Sequence, residues 1–117
     1  MAIKKKALFA FNGERMCFAH VLLNALDMHG RGYEVRIVIE GAATGLVPGL
    51  AKEGAPFHNL YKQAKEKALI DGACRACSKK MGVLKAVKLE GLTLLDEMSG
   101  HPSMARYEEE GFDIITF

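Results

Sequence analysis

Short apolar runs rich in β-formers alternate with helical patterns along almost the whole chain, and this alternation constrains the fold more than any single residue. Residues 3–11 read as a first strand broken by Asn12-Gly13. Residues 15–28 place Cys17, Phe18, Val21, Leu22, Ala25, Leu26 and Met28 near a 3.6-residue period, which predicts an amphipathic helix stopped by Gly30. Residues 33–39 form a second strand that ends at Glu40-Gly41. Thr44 is placed to cap a short helix over 46–52, with Pro48 tolerated in its first turn. Residues 59–67 are helical and charged, and 68–70 are a third strand ending at Asp71-Gly72. A helix follows over 74–81 with Gly82 as its stop, then a fourth strand over 92–95. A last helix starts near Ser99-Gly100-His101-Pro102 and ends at Gly111, before a final strand over 112–117. Strands alternating with helices predict an α/β fold, a mostly parallel five-stranded sheet covered on both faces. Such a sheet gathers its functional loops at the carboxyl ends of the strands.

Length and composition narrow the function classes. The 117 residues fit one domain spanning 1–117, half of them hydrophobic and a quarter charged, a globular balance. A net charge of +2 gives no electrostatic case for nucleic acid, and the run Lys4-Lys5-Lys6 reads as a solvated strand entry. No apolar segment approaches the roughly 18 residues needed to span a bilayer, and the N-terminal apolar part is too short for a signal peptide. The expected setting is the cytoplasm, with no membrane association. Three cysteines, an odd number, argue against a structural disulfide framework.

Chemically useful side chains fall just after the expected strands. Asn12, Glu14 and Cys17 follow the first, Glu40 the second, Cys74 and Cys77 the third, and Glu97, Ser99 and His101 the fourth. Cys74 is expected in the first turn of a helix, where free N–H groups and the helix dipole favour a thiolate, with Arg75, Lys79 and Lys80 nearby. Thiols in such settings have pKa values lowered from about 8.5 into the range of about 3.5–7.5. The expectation is a nucleophilic Cys74 with Cys77 one helical turn on as a second thiol, and with Asn12, Cys17, Glu40 and His101 lining the same edge.

Alternatives remain at this level. A structural zinc site needs four ligands, usually as two separated pairs. Only one C-x-x-C is present, and Cys17 and His101 would have to arrive from other loops, so no metal and no cofactor is assigned. A thioredoxin-type dithiol follows an early strand with a Trp beside it, whereas this chain has no Trp and the pair follows the third strand. Cys17 and Cys77 also suit the apolar faces of their helices as small hydrophobes. Glu40 and Glu97 can cap turns, and His101 before Pro102 fits a helix N-terminal turn.

The strand running into G-A-C-R-A-C-S-K-K-M-G, followed by L-L-D-E-M-S-G-H-P-S-M-A-R-Y-E-E-E-G-F-D-I-I-T-F, resembles the DsrE/DsrF-like family of small sulfur-relay proteins. The stretch from A-L-F-A-F-N-G-E-R-M-C-F to E-V-R-I-V-I-E-G looks like that family's first β-α-β unit, so the likeness covers essentially the whole chain. It is closest to a cytoplasmic subgroup that carries C-x-x-C. The resemblance implies a three-layer α/β/α sandwich, a persulfide on the cysteine that starts the helix after the third strand, donor and acceptor proteins for sulfur, and a homo-oligomer. Cys74 matches that position. Cys77 departs from members that have no second cysteine there, which leaves room for a disulfide-forming role or a metal. The expected function is a sulfur carrier or sulfurtransferase in which Cys74 accepts persulfide sulfur and Cys77 resolves it. The other reading is a small-ligand or metal-binding module whose cysteines serve structure.

Overall fold

The computed structural model describes residues 3–117. Its elements are β1 (Lys5–Ala10), α1 (Arg15–Gly30), β2 (Glu34–Ile39), a 3-10 segment (Gly41–Leu46), α2 (Val47–Leu50), α3 (His58–Glu66) and β3 (Ile70–Cys74). There follow α4 (Arg75–Lys80), α5 (Leu84–Leu89), β4 (Leu94–Leu95), α6 (Met104–Glu109) and β5 (Asp113–Thr116). The strands form one sheet in the order β4-β3-β2-β1-β5, and every pairing is parallel. The fold is the expected α/β sandwich.

The two layers over the sheet are unequal, and topology explains why. From β1 to β4 the chain steps in one direction, so right-handed crossovers carry the intervening helices over one face. There Phe18, Val21 and Leu22 of α1, Leu50 of α2, Tyr61 of α3 and Val87 of α5 pack on Leu8, Ile37 and Ile39. The return from β4 to β5 runs the other way and places α6 on the opposite face. That smaller core is Ala7, Phe9, Val38, Leu95, Tyr107 and Phe112. The β1 residues alternate between the two cores, as the period of a strand requires. Among the described residues no helix is long and apolar enough to cross a membrane.

Several expected boundaries move, each for a physical reason. The third strand does not end at Asp71-Gly72 but runs on to Cys74. Gly72 is not a breaker: a Cβ there would collide with the Thr93 carbonyl oxygen and the Leu95 side chain, so glycine is what lets β4 pair so closely with β3. The β2–β3 register also shifts, with Ile37 opposite Ile70 and Val38 opposite Gly72, which makes Asp71 the extra residue of a bulge. Cys74 caps the following helix rather than lying inside it. Thr44 does not cap α2; its hydroxyl donates to the Gly41 carbonyl at 2.8 Å within the 3-10 segment. Helix α5 is an addition to the expected elements, because Gly82, at φ 73°, ends α4 and a new helix starts almost at once.

Candidate functional site

Three neighbouring strands, β2, β3 and β4, deliver donor groups to one point at their carboxyl ends. Glu40 follows β2 directly, its N–H donating to the Ala10 carbonyl at 2.8 Å. The chain then turns at Gly41 with φ 51°, and a Cβ there would lie 3.3 Å from the Phe11 carbonyl oxygen. A side chain at that position would push Glu40 off its turn. Cys74 ends β3, and its Sγ accepts the Cys77 N–H at 3.3 Å, so the C-x-x-C turn folds around the first sulfur. His101 arrives through a tight hairpin after β4. Met98 and His101 exchange backbone hydrogen bonds of 2.8 and 2.9 Å, and the two residues between them, Ser99 and Gly100, both have positive φ. That is the twist a two-residue turn needs. The Ala76 N–H donates to the Gly100 carbonyl at 2.9 Å and ties the hairpin to α4.

The outcome is a four-residue cluster. Donor atoms of Glu40, Cys74, Cys77 and His101 all lie within 4.8 Å of one another. His101 Nδ1 is 3.1 Å from Cys74 Sγ, 3.8 Å from Cys77 Sγ and 4.0 Å from Glu40 Oε1. Donors on a tetrahedral zinc lie about 3.3–3.8 Å apart, given metal–ligand bonds of about 2.0–2.3 Å. The three separations from His101 bracket that range, and the set as a whole spans up to 4.8 Å. Cys74 is fully buried and Glu40 is 7% exposed, while Cys77 and His101 are half-buried.

The electrostatics correct one sequence expectation. The Cys74 thiol is not poised as a thiolate: burial pushes it up to about 12, and the neighbouring Cys77 and Glu40 add to the rise. The Cys77 N–H works the other way and is outweighed. Arg75, expected to add positive charge, pairs with Asp96 at 3.3 Å, and Lys79 and Lys80 are exposed at the far end of α4. Burial also raises the Glu40 carboxyl, against the lowering effects of Cys74 and His101.

Of the other expected site residues, Asn12 is exposed and its Oδ1 accepts the Glu14 N–H at 2.8 Å, a local turn contact. Cys17 is half-buried on α1 and stands outside the cluster. Glu97 accepts from Arg106 Nε at 2.8 Å and from the Ser103 N–H at 3.3 Å, which anchors α6. Sequence reasoning missed the cavity of about 500 Å³ beside the cluster, walled by Phe11, Met98, Pro102 and Met104 with Glu40 and His101 on one side. Its only signal was the exposed apolar residue immediately after β1 and again after β4. A smaller hollow of about 200 Å³ lies on the other side, where Cys77 meets Gly41, Lys80 and Met81.

No family model matches the chain. Over 96 residues it is 30% identical to the uncharacterised protein MJ0733 of Methanocaldococcus jannaschii, an alignment covering 82% of this chain and 76% of that protein. The chain belongs to the MJ0733 family. An uncharacterised protein of Archaeoglobus fulgidus is 40% identical over 62 residues, which cover 53% of this chain and all of that protein. The fold recurs in BT1422, a conserved protein of unknown function from Bacteroides thetaiotaomicron. The TM-score is 0.67 at 19% identity, over 97% of this chain and 95% of that one. At that identity the likeness speaks to the architecture of the MJ0733 family alone.

Proposed function

We propose that the protein binds a divalent metal ion of the zinc class through Glu40, Cys74, Cys77 and His101. The observation that carries this reading is the convergence of the four donor atoms within 4.8 Å, from three different strand ends. Two sulfurs, one imidazole nitrogen and one carboxylate suit zinc or cobalt rather than magnesium or calcium, which prefer all-oxygen sites. The charge argument agrees. A buried thiol that the protein alone keeps protonated loses its proton when a metal binds. The C-x-x-C turn then supports the thiolate with the Cys77 N–H.

The test is a titration of chelator-treated protein with cobalt(II). One equivalent should bind with a thiolate charge-transfer band and visible d–d bands, and zinc should displace it. Absence of a stoichiometric cobalt spectrum, or an unchanged spectrum in Cys74→Ser, overturns the reading.

A second reading keeps the sulfur chemistry that the DsrE/DsrF-like resemblance implies, in a cytoplasmic homo-oligomer served by donor and acceptor proteins. The observation that favours it is the neighbouring pair of free thiols, with Cys77 half-buried at the rim and Cys74 behind it. Burial of Cys74 changes the order of events. The Cys77 thiolate meets a donor persulfide first and attacks its outer sulfur, forming Cys77–S–SH and releasing the donor thiol. The Cys74 thiol then attacks the inner sulfur as its proton passes to the departing terminal sulfur, closing a Cys74–Cys77 disulfide and releasing hydrogen sulfide; the two thiols are oxidised as the transferred sulfur is reduced. Metal-free protein incubated with a small persulfide should gain the mass of one sulfur in Cys74→Ser. No gain in either single cysteine variant removes this reading.

A further inference from the structure

The cavity next to the cluster has a composition that restricts what can enter it. Its walls are Phe11, Met98, Pro102 and Met104, and among the described residues no Lys or Arg lines it. The polar groups it presents are Glu40 and His101 at one side and Ser103. The Ser103 Oγ already accepts the Arg106 N–H at 3.3 Å as the cap of α6. The four donors differ in how firmly they are held. Cys74 and Cys77 share one hydrogen-bonded turn, and His101 is clamped by the two backbone bonds to Met98. Glu40 also lines the cavity; its carboxylate, 4.0 Å from the imidazole and in contact with the Cys74 thiol, is the single oxygen donor of the set, the type a zinc-class ion holds least tightly beside two thiolates and an imidazole. With a divalent ion, two thiolates and a carboxylate, the site carries about one net negative charge. That charge repels anions, and the apolar walls penalise a desolvated cation.

Resting on the metal reading above, we propose that this cavity admits a small uncharged molecule with an apolar body and one nitrogen or carbonyl donor, which takes the metal position that Glu40 Oε1 otherwise fills. The cysteines and His101 then act as the fixed ligands, and Glu40 as the exchangeable one that borders the incoming molecule. This arrangement is a binding site with an open position, the form in which protein-bound zinc meets a substrate.

The experiment uses the cobalt(II)-loaded full chain and three probes: benzimidazole, imidazole and imidazole carboxylate. Benzimidazole should shift the d–d bands saturably, at a concentration at least about tenfold lower than imidazole. The carboxylate should be weakest. Ala105, exposed on α6 at the cavity rim, offers a block that leaves the core intact. Ala105→Trp should raise the benzimidazole concentration needed by about tenfold or more while leaving the cobalt spectrum without probe unchanged. Phe11→Ala should weaken benzimidazole severalfold and imidazole little. Cobalt bound with its normal spectrum but silent to benzimidazole overturns this inference and leaves the metal reading standing. The inference falls in the same way if all three probes act alike and Ala105→Trp changes none of them. Failure to take up cobalt at all sinks both.

Discussion

Two polar clusters hang on the same strand, β3, and their charges are answered in opposite ways. Asp71, the bulge residue, faces two arginines and a tyrosine: Arg36 Nε at 3.8 Å, Arg106 at 3.6 Å, and the Tyr107 hydroxyl, which donates to it. Arg106 pairs further with Glu97 at 2.8 Å and Glu110 at 3.3 Å, and Arg36 with Glu34 at 3.0 Å. Every acid there has a base. Three residues later, Cys74 meets Cys77, Glu40 and His101, a set with three potential anions and no Lys or Arg partner among the described residues. The first cluster is complete as a piece of architecture and fastens α6 to the sheet. The second is a set of donors without such a partner, the arrangement on which the proposed metal reading rests. A buried polar group that is paired is weak evidence for function, while buried ionisable groups that converge with perturbed pKa values mark a candidate site.

The comparison breaks most readily at the metal. Cys77→Ser should lower cobalt affinity by about a hundredfold or more, whereas Glu97→Gln should leave it unchanged. Equal losses in the two variants, measured by competition with a chelating dye, would erase the distinction between the clusters. Next in size is stability. Zinc at about a hundred times its dissociation constant should stabilise the fold by about 2.7 kcal/mol, raising Tm by several degrees, and should do nothing for Cys74→Ser.

Removing the Tyr107 hydroxyl probes the closed cluster. Tyr107 is 1% exposed, and its bond to a charged Asp71 should be worth roughly 1.5 kcal/mol, the low end for such bonds because two arginines remain. Tyr107→Phe should therefore lower the urea midpoint while the zinc-induced gain stays the same. The smallest effect concerns pH. Burial works against ionisation of Glu97, but the Arg106 and Ser103 bonds outweigh it and hold its carboxyl below the usual carboxylate range. A depressed pKa gives stability that is present above the unfolded value, about 4.3, and is lost as pH falls through the folded one. Glu97→Gln should cost about 0.2–1 kcal/mol at pH 7 and nothing at pH 2. Denaturation curves at the two pH values check the sign.

What the sequence could convey follows from the range of the forces involved. The strands were legible because β-branched runs and glycine breaks act locally, and Glu40, Cys74, Cys77 and His101 were legible as strand-end residues. Their convergence was not, because it depends on β2, β3 and β4 being neighbours, an order that no local pattern encodes. The direction of the Cys74 shift is hidden from the sequence for a related reason. Helix-end electrostatics can be read from spacing, but burial comes from the Ser99-Gly100 hairpin folding over the sulfur from a distant part of the chain. Asp71 and Gly72 read as a turn because that pair usually makes one; here they are a bulge and a close-packing site.

The pairing of β4 with β3 at Gly72 sets how the chain can vary in length. The Ala73 N–H reaches the Thr93 carbonyl at 2.9 Å, and only Leu94 and Leu95 form the strand that carries His101 to the cysteines. The segment before it, with α5, packs through Val87 into the large core and supplies none of the four donors. Its exposed turns at Gly82 and Gly91 are where residues should be gained or lost with least effect on the imidazole. One residue added between Leu95 and His101 would turn it away. Other sequences sharing this centre should therefore show a variable interval between the second cysteine and β4, and an invariant one from β4 to the histidine.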